Sequence, residues 1–458
     1  SFLDFTTLQR RERALRHDLA LNRVTAPELY RRVLPVTADP AGLALDGSGE
    51  PVEWLLEMQR FPAEAQLDRI AASTGLSTTL IDRLAATQAA ARQTPDQGGL
   101  AAMREITRGN RVDLDAAVPA VFSAEDIGRL DAGTRALLSR DGPLLDHRRA
   151  AGFVRHCHGD LHLANIVLLE DRPVLFDCIE FADDFACIDV LYDLAFLLID
   201  LTEKGHRPAA SRLLNGWLER TGDHAGLALL PLFLSLRAAI RAKVLGLAAN
   251  TDPTAGLGEA RRYLALATGF LDPPPPVLLA IGGGSGTGKT TLARALAADL
   301  PGPSPGAVIL RSDAIRKALF GRNPTDRLPH EAYTPEISAR VFATIVRRAA
   351  TCLAAGHSVI ADAVYGQPEH RAQIEAVARG RDVPFVGAWL AAPVATLVAR
   401  VGQRYGDASD ADAAVVRRQR ESIDESSIAW QRVDAARPVE AVKAEVAGIV
   451  RRRLPDRL

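Results

Sequence analysis

VLLAIGGGSGTGKTTLARAL, residues 277–296, places an apolar run, a glycine-rich turn and the start of an apolar-patterned helix in one stretch. Its centre, GGSGTGKT at 283–290, satisfies G-x-x-x-x-G-K-[ST] through Gly283, Gly288, Lys289 and Thr290. Glycines let successive backbone N–H groups converge on a phosphate, and the helix opening there adds its partial positive end. Gly284, Ser285, Gly286, Thr287 and Thr291 complete the expected cradle. Lys289 is expected to reach the β- and γ-phosphates and Thr290 to hold Mg2+, with ATP as the nucleotide. A strand before the turn and a helix after it is the context the motif requires.

Downstream, AVILRSDAIRKAL at 307–319 reads as a strand ending at Asp313, with Arg316 one helical turn further on. A carboxylate at a strand end facing the cradle can take a proton from an acceptor hydroxyl, and an arginine on its face can hold the acceptor or the acid. The same S-D-x-x-R pattern also suits a helix cap on 314–320. HSVIADAVY at 357–365 reads as a second buried strand ending at Asp362, suited to supporting the metal. APVATLVARVGQRYGD at 392–407 reads as a helix with Arg400 and Arg404 at i and i+4, able to cover a transferring phosphate as a lid.

Upstream, LDPPPP at 271–276 marks a boundary, because consecutive prolines end a helix and favour an extended spacer. The expected domains are therefore 1–270, a proline linker at 271–276, and 277–458. With 458 residues, the chain exceeds the usual single-domain size. In the first half, residues 32–58 read as short strands with a GSGE hairpin turn at 47–50. Helices are expected over 63–73, 76–94, 98–109, 123–140, 186–203, 207–221 and 226–249. IVLLEDRPVLFD at 166–177 interrupts them as two strands and a tight turn.

HGDLHLAN at 158–165 precedes that hairpin and sets Asp160 and Asn165 five residues apart. One loop can then aim a carboxylate at an acceptor while an amide oxygen takes a metal. Asp177, at the end of the second hairpin strand, supplies a second metal ligand. Glu180 and Asp189 lie near enough to belong to the same site, and His162 reads as a packing or loop histidine.

These residues resemble the aminoglycoside phosphotransferase and choline kinase-like branch of the protein-kinase fold. The resemblance covers 153–202 and implies that Asp160 is the catalytic base, Asn165 and Asp177 hold magnesium, and Asp193 braces the catalytic loop. It makes His158 a loop-stabilising residue and MQRFP at 58–62 the adenine-facing hinge. That fold also anchors nucleotide with a lysine on an early strand, and no lysine precedes Lys204 here. Two readings follow: the chain lacks its first strands, leaving Glu12 or Asp18 as the orphaned acidic partner, or this half is a pseudokinase.

The later half resembles P-loop kinases such as polynucleotide 5′-hydroxyl kinase, zeta-type toxins and small-molecule kinases for gluconate or chloramphenicol, over most of 277–424. The resemblance implies Asp313 as base, Arg316 as acceptor-side residue, and Arg400 with Arg404 as transition-state stabilisers. The expected fold class is α/β and α+β: a kinase-like helical lobe with an incomplete small N-terminal sheet, then a P-loop three-layer α/β domain with a mainly parallel sheet.

Composition narrows the partners. A formal net charge of -1 gives nucleic acid no electrostatic support, so a small-molecule hydroxyl acceptor is expected. The four cysteines, Cys157, Cys178, Cys187 and Cys352, show no metal-binding spacing and fit a reducing compartment, and the most apolar stretch, around 226–250, is interrupted by Arg237, Arg241 and Lys243, so a cytoplasmic protein without membrane attachment is expected. The expected activity is ATP-dependent phosphotransfer to an alcohol group, in one centre or two. Still open are a regulatory protein with a ligand-binding pseudokinase and an ATP-driven switch, and a toxin-like kinase of a nucleotide sugar. Oligomeric state is not legible.

Overall fold

The computed structural model describes all residues except 1–3, 41, 88–92, 95, 252–255, 324–325, 404–408 and 455–458, and only the backbone of 249–251. The chain divides into two compact units, Ser1–Leu213 with Leu232–Leu271, and Leu214–Pro231 with Asp272–Leu458. The segment Leu214–Pro231, expected in the first domain, thus packs with the second unit.

The first unit opens with α1 (Leu8–Asn22) and the strands β1 (Tyr30–Asp39), β2 (Gly42–Leu45) and β3 (Glu50–Met58). They form an antiparallel sheet in the order β2-β1-β3. The expected hairpin at 47–50 is absent, since β2 and β3 both pair with β1 rather than with each other. GSGE instead carries the chain across β1 from one edge of the sheet to the other. Glycine is needed there because a Cβ at Gly49 would run into the Ala38 carbonyl.

The helical part contains α2 (Leu67–Ser73), α3 (Thr78–Leu84), α4 (Gly99–Asp115) and α5 (Ala124–Ala150). Of the expected helix 76–94, only 78–84 is helical among the described residues. The helix expected to end at 140 runs to Ala150 through Pro143, a position that ordinarily costs about 3 kcal/mol. Packing against α4 overrides it: Gly142 sits so close to Leu100 that a Cβ would lie 2.8 Å from its Cδ2. Then follow β4 (Val154–His156), β5 (Ile166–Leu169), β6 (Arg172–Leu175), α6 (Asp183–Ala186), β7 (Cys187–Asp189), α7 (Val190–Glu203), α8 (Arg207–Thr221), α9 (Leu230–Thr251) and α10 (Leu257–Gly269). The expected hairpin of β5 and β6 is present, turning at Glu170 and Asp171. Among the described residues one helical stretch, Ala225–Ala248, is long and apolar enough to cross a membrane by length and composition, but 78% of its apolar 18-residue window is buried within the protein, as in a core helix.

The second unit contains β8 (Leu278–Gly282), α11 (Lys289–Ala297), β9 (Val308–Arg311), α12 (Ser312–Leu319), α13 (Pro335–Ala354), β10 (Val359–Asp362), α14 (Pro368–Gly380), β11 (Phe385–Ala391), α15 (Val394–Gly402), α16 (Ala413–Ser422), β12 (Gln431–Asp434) and α17 (Val439–Arg451). Its five strands are parallel, in the order β12-β11-β8-β10-β9. Apolar runs such as LLAI and VIAD are buried throughout, as strands covered on both faces require. Leu292 and Leu296 of α11 join Val442, Val446 and Ile449 of α17 in the core on the sheet. At the edge strand β9, Asn215 replaces a neighbouring strand: its Oδ1 accepts from Ile309 N at 2.7 Å and its Nδ2 donates to Ala307 O at 3.1 Å. The order sets β8 and β10 side by side, which brings their carboxyl-terminal ends together.

Candidate active sites

Gly283 to Gly288 form the loop from β8 into α11, and Lys289 is the first residue of that helix. The loop is packed so closely on α15 that a Cβ at Gly286, where φ is +88°, would lie 2.8 Å from the Leu397 carbonyl. Within it, Thr287 Oγ1 donates to Gly284 O at 2.8 Å and Lys289 Nζ to the same carbonyl at 3.0 Å. Thr290 Oγ1 donates to Asp362 Oδ2 at 2.6 Å, joining the cradle to the end of β10. Thr291 is exposed in the first turn of α11.

Asp313 lies in the first turn of α12, since β9 ends at Arg311 rather than at Asp313. It makes no cap: the residue before the helix is Arg311, with no side-chain capping bond. Burial and the neighbouring Asp362 carboxylate push Asp313 above the usual carboxylate range, opposed by Lys289, Arg311 and a hydrogen bond from Ser409. The structure therefore gathers Lys289, Thr290, Asp313 and Asp362 at the ends of adjacent strands.

Arg316 stays within electrostatic reach of Asp313, and its donors are also engaged elsewhere. It is 8% exposed, its Nη1 donates to Ala332 O at 2.6 Å and its Nη2 to Ser338 Oγ at 3.3 Å, and it lies over the Tyr333 ring. Its donors thus hold the segment between α12 and α13. Arg400 Nη1 donates to Ala435 O at 2.8 Å, beyond the end of β12, so this guanidinium is engaged with the sheet edge rather than poised over the cradle. Arg404 lies outside the described residues.

A further group was not legible in the sequence. Lys317, 1% exposed, approaches Asp410 Oδ1 at 3.3 Å, while Asp410 Oδ2 accepts from Tyr333 Oη at 2.6 Å and Leu328 N at 3.1 Å. One carboxylate thereby ties the segment after the expected lid to the acceptor-side segment.

In the first unit, Asp160 lies with His162 Nε2 at 3.3 Å from its Oδ2, and Asn165 Nδ2 donates to its backbone carbonyl at 3.0 Å. His162 is thus a neighbour of the expected base as well as a packing residue against Phe196. Its hydrogen bond and charge, with Arg237 and His158, outweigh burial and hold Asp160 below the usual carboxylate range. Asn165 thus spends its amide nitrogen on the backbone and side chain of Asp160. Asp177 adopts φ +63° immediately after the hairpin, an uncommon conformation for a non-glycine residue.

Asp193 braces the loop as expected: Oδ1 accepts from Gly159 N at 2.9 Å and Oδ2 from His158 N at 3.2 Å. Asp200, seven residues along α7 and on the same face, accepts from Leu163 N at 2.9 Å. This second brace went unread, although two acids seven apart in an otherwise apolar helix are its sequence signal. Asp189 is not part of the site, because it is buried in a bidentate pair with Arg148 at 2.7 and 2.8 Å and caps α7 through Leu191 N. Glu12 pairs with Arg16 at the surface. Asp18 faces inward instead, and burial with Glu180 and Asp177 nearby pushes it up to about 6.

Residues 7–230 match the phosphotransferase enzyme family, and residues 278–426 match an AAA domain. Uncharacterized proteins of Mycobacterium tuberculosis and Mycobacterium bovis are 29% identical over 425 residues, 90% of this chain and 83% of theirs. Among solved structures, a gluconokinase from Sinorhizobium meliloti 1021 is similar at 21% identity over 39% of this chain and 95% of its own, with a TM-score of 0.29. The APS kinase CysC of Mycobacterium tuberculosis, solved with AMPPNP and APS, is similar at 19% identity over 39% of this chain and 99% of its own, with a TM-score of 0.28. The chain thus carries a region that matches the phosphotransferase enzyme family and, after it, a region that matches an AAA domain.

Proposed function

We propose that this phosphotransferase uses Mg2+ and ATP in its second unit to phosphorylate a hydroxyl of a small molecule, and that the first unit is a second centre of the same chemistry. The observation that carries the reading is the Thr290–Asp362 contact of 2.6 Å beside Lys289 and Asp313. Thr290 and Asp362 offer hard oxygen donors. Among the described residues no group of three or more His, Cys, Asp or Glu gathers at metal-binding distance, which suits an ion held by one carboxylate, a hydroxyl, phosphate oxygens and water. Bound there, magnesium supplies charge neutralisation for the phosphate oxygens.

Asp313 accepts the proton of the acceptor hydroxyl as that oxygen bonds to the γ-phosphorus and the bond to the β,γ-bridging oxygen breaks. A carboxylate raised by burial and a like charge is a stronger base than a solvated one. Lys289 compensates the charge on the departing diphosphate. In the first unit, Asp160 takes the equivalent base role, with Asn165 and Asp177 as the oxygen donors.

The test measures acceptor-dependent ADP formation over a panel of sugars, aminoglycosides, nucleosides and 5′-hydroxyl oligonucleotides. Lys289→Ala is expected to abolish Mg·ATP binding at the second unit, and Asp313→Asn to keep binding while slowing transfer by about 10²–10⁴. Transfer at the wild-type rate in Asp313→Asn, with loss in Asp160→Ala, would move the activity to the first unit and overturn the assignment.

A further inference from the structure

The Ser285 amide N–H of the phosphate cradle donates at 2.7 Å to Oε1 of Gln419, a side chain of α16 that belongs to none of the motifs above. An amide N–H meets only an acceptor, so the side-chain oxygen of Gln419 faces the loop. The contact is not a chance meeting of surface groups. Val416 of the same helix is buried with Leu397 and Val401 of α15, and Ile423 just beyond it packs on Gly366, where a Cβ would lie 3.0 Å from its Cγ1. Positions 416, 419 and 423 share one helix face, so Gln419 sits in the middle of the face that α16 turns toward the loop. The helix start is fixed as well, with Asp412 accepting from Val415 N at 2.9 Å.

A phosphate oxygen entering the cradle is also an acceptor, and it needs the same N–H groups. We infer that Gln419 is a residue of the nucleotide site: its Oε1 takes the place of a phosphate oxygen on Ser285 N, so docking of α16 and loading of a nucleoside triphosphate compete for one donor. The inference rests on the reading of 283–290 as a nucleotide cradle. It makes Gln419 a residue that sets nucleotide affinity and couples phosphate entry to release of α16 from the loop.

The experiment is calorimetric titration of the full chain with Mg·ATP and, separately, with magnesium pyrophosphate. Gln419→Ala is expected to bind both about two- to tenfold more tightly, the equivalent of one competing hydrogen bond. Gln419→Asn, one methylene shorter and unable to reach the loop, is expected to match it, and it decides the matter if the alanine variant fails to fold. Gln419→Glu is expected to bind more weakly than wild type, because a carboxylate accepts more strongly and repels phosphate. Unchanged or weaker binding in both Gln419→Ala and Gln419→Asn overturns the inference. If Lys289→Ala then abolishes binding, the cradle stands and only the role of Gln419 falls; if Lys289→Ala binds like wild type, the cradle reading falls and the inference with it.

Discussion

Replacing Asp193 tests whether a single buried carboxylate holds the loop that carries Asp160. The residue is 7% exposed and its carboxylate accepts from two backbone donors, Gly159 N at 2.9 Å and His158 N at 3.2 Å. Alanine leaves both N–H groups buried without a partner. At about 1–3 kcal/mol for each such group, the loss is about 2–6 kcal/mol. Arg237, whose Nη2 lies 3.9 Å from Asp193 Oδ1, loses its nearest counter-charge and moves the figure toward the upper end. Asparagine keeps one acceptor oxygen but turns a donor toward the second N–H, so it is expected to cost about half as much. Against a domain stability of about 5–15 kcal/mol, the alanine change is large. Urea-dependent hydrogen exchange, read on peptides spanning 153–202, isolates this region from the second unit. An alanine variant within about 0.5 kcal/mol of wild type, or an asparagine variant as damaging as alanine, would refute the bracing argument.

Asn215→Leu leaves Ile309 N and Ala307 O unpaired at the edge of β9, and is expected to lower the stability of the second unit by about 2–4 kcal/mol in urea unfolding followed by tryptophan fluorescence. Gly286→Ala puts a Cβ 2.8 Å from the Leu397 carbonyl at a φ of +88°, so Mg·ATP affinity in calorimetry is expected to fall by at least tenfold through distortion of the loop. Burial lowers His357 to about 4 in the folded protein, against about 6.5 unfolded, so only the unfolded chain takes up its proton between those values. The stability it contributes is fully present above pH 6.5 and is lost as pH falls toward 4, about 3 kcal/mol in all. Unfolding midpoints of wild type and His357→Gln should differ in slope across that window and run parallel above it. Because Asp313 is raised, its acid limb in a rate profile is expected above the ordinary carboxylate range, and activity should rise with pH through it.

The two halves of the protein were legible to different degrees, for reasons that are local or not. The cradle at 283–290, the strand ending at Asp362, the β5–β6 hairpin and the proline-marked end of α10 all depend on neighbours in the chain, and each stands where the residues indicate. The brace by Asp193 was also expected, because the resemblance over 153–202 implies it. Where expectation and structure part, a distant partner intervenes. GSGE looks like a hairpin turn by composition, yet β1 lies between β2 and β3, which no local pattern records. Pro143 looks like a helix end, yet the close packing of Gly142 on Leu100 carries the helix through it. Asp189 looks like a site acid until Arg148, forty-one residues earlier in the chain, claims both of its oxygens.

From its sequence alone, the chain was legible as a phosphotransferase-like half followed by a P-loop half, with the candidate residues of each and their order, because glycine turns, apolar strand runs and strand-end carboxylates express themselves over a few residues. Tertiary structure alone decided which side chains are free to act. It committed Arg316 and Arg400 to backbone carbonyls, set Asp313 beside Asp362 by the order of the strands, turned Asp18 toward Asp177 and Glu180, and delivered Gln419 to the cradle from 134 residues away. A buried donor or acceptor takes the partner that packing places beside it, and sequence distance says nothing of which partner that is.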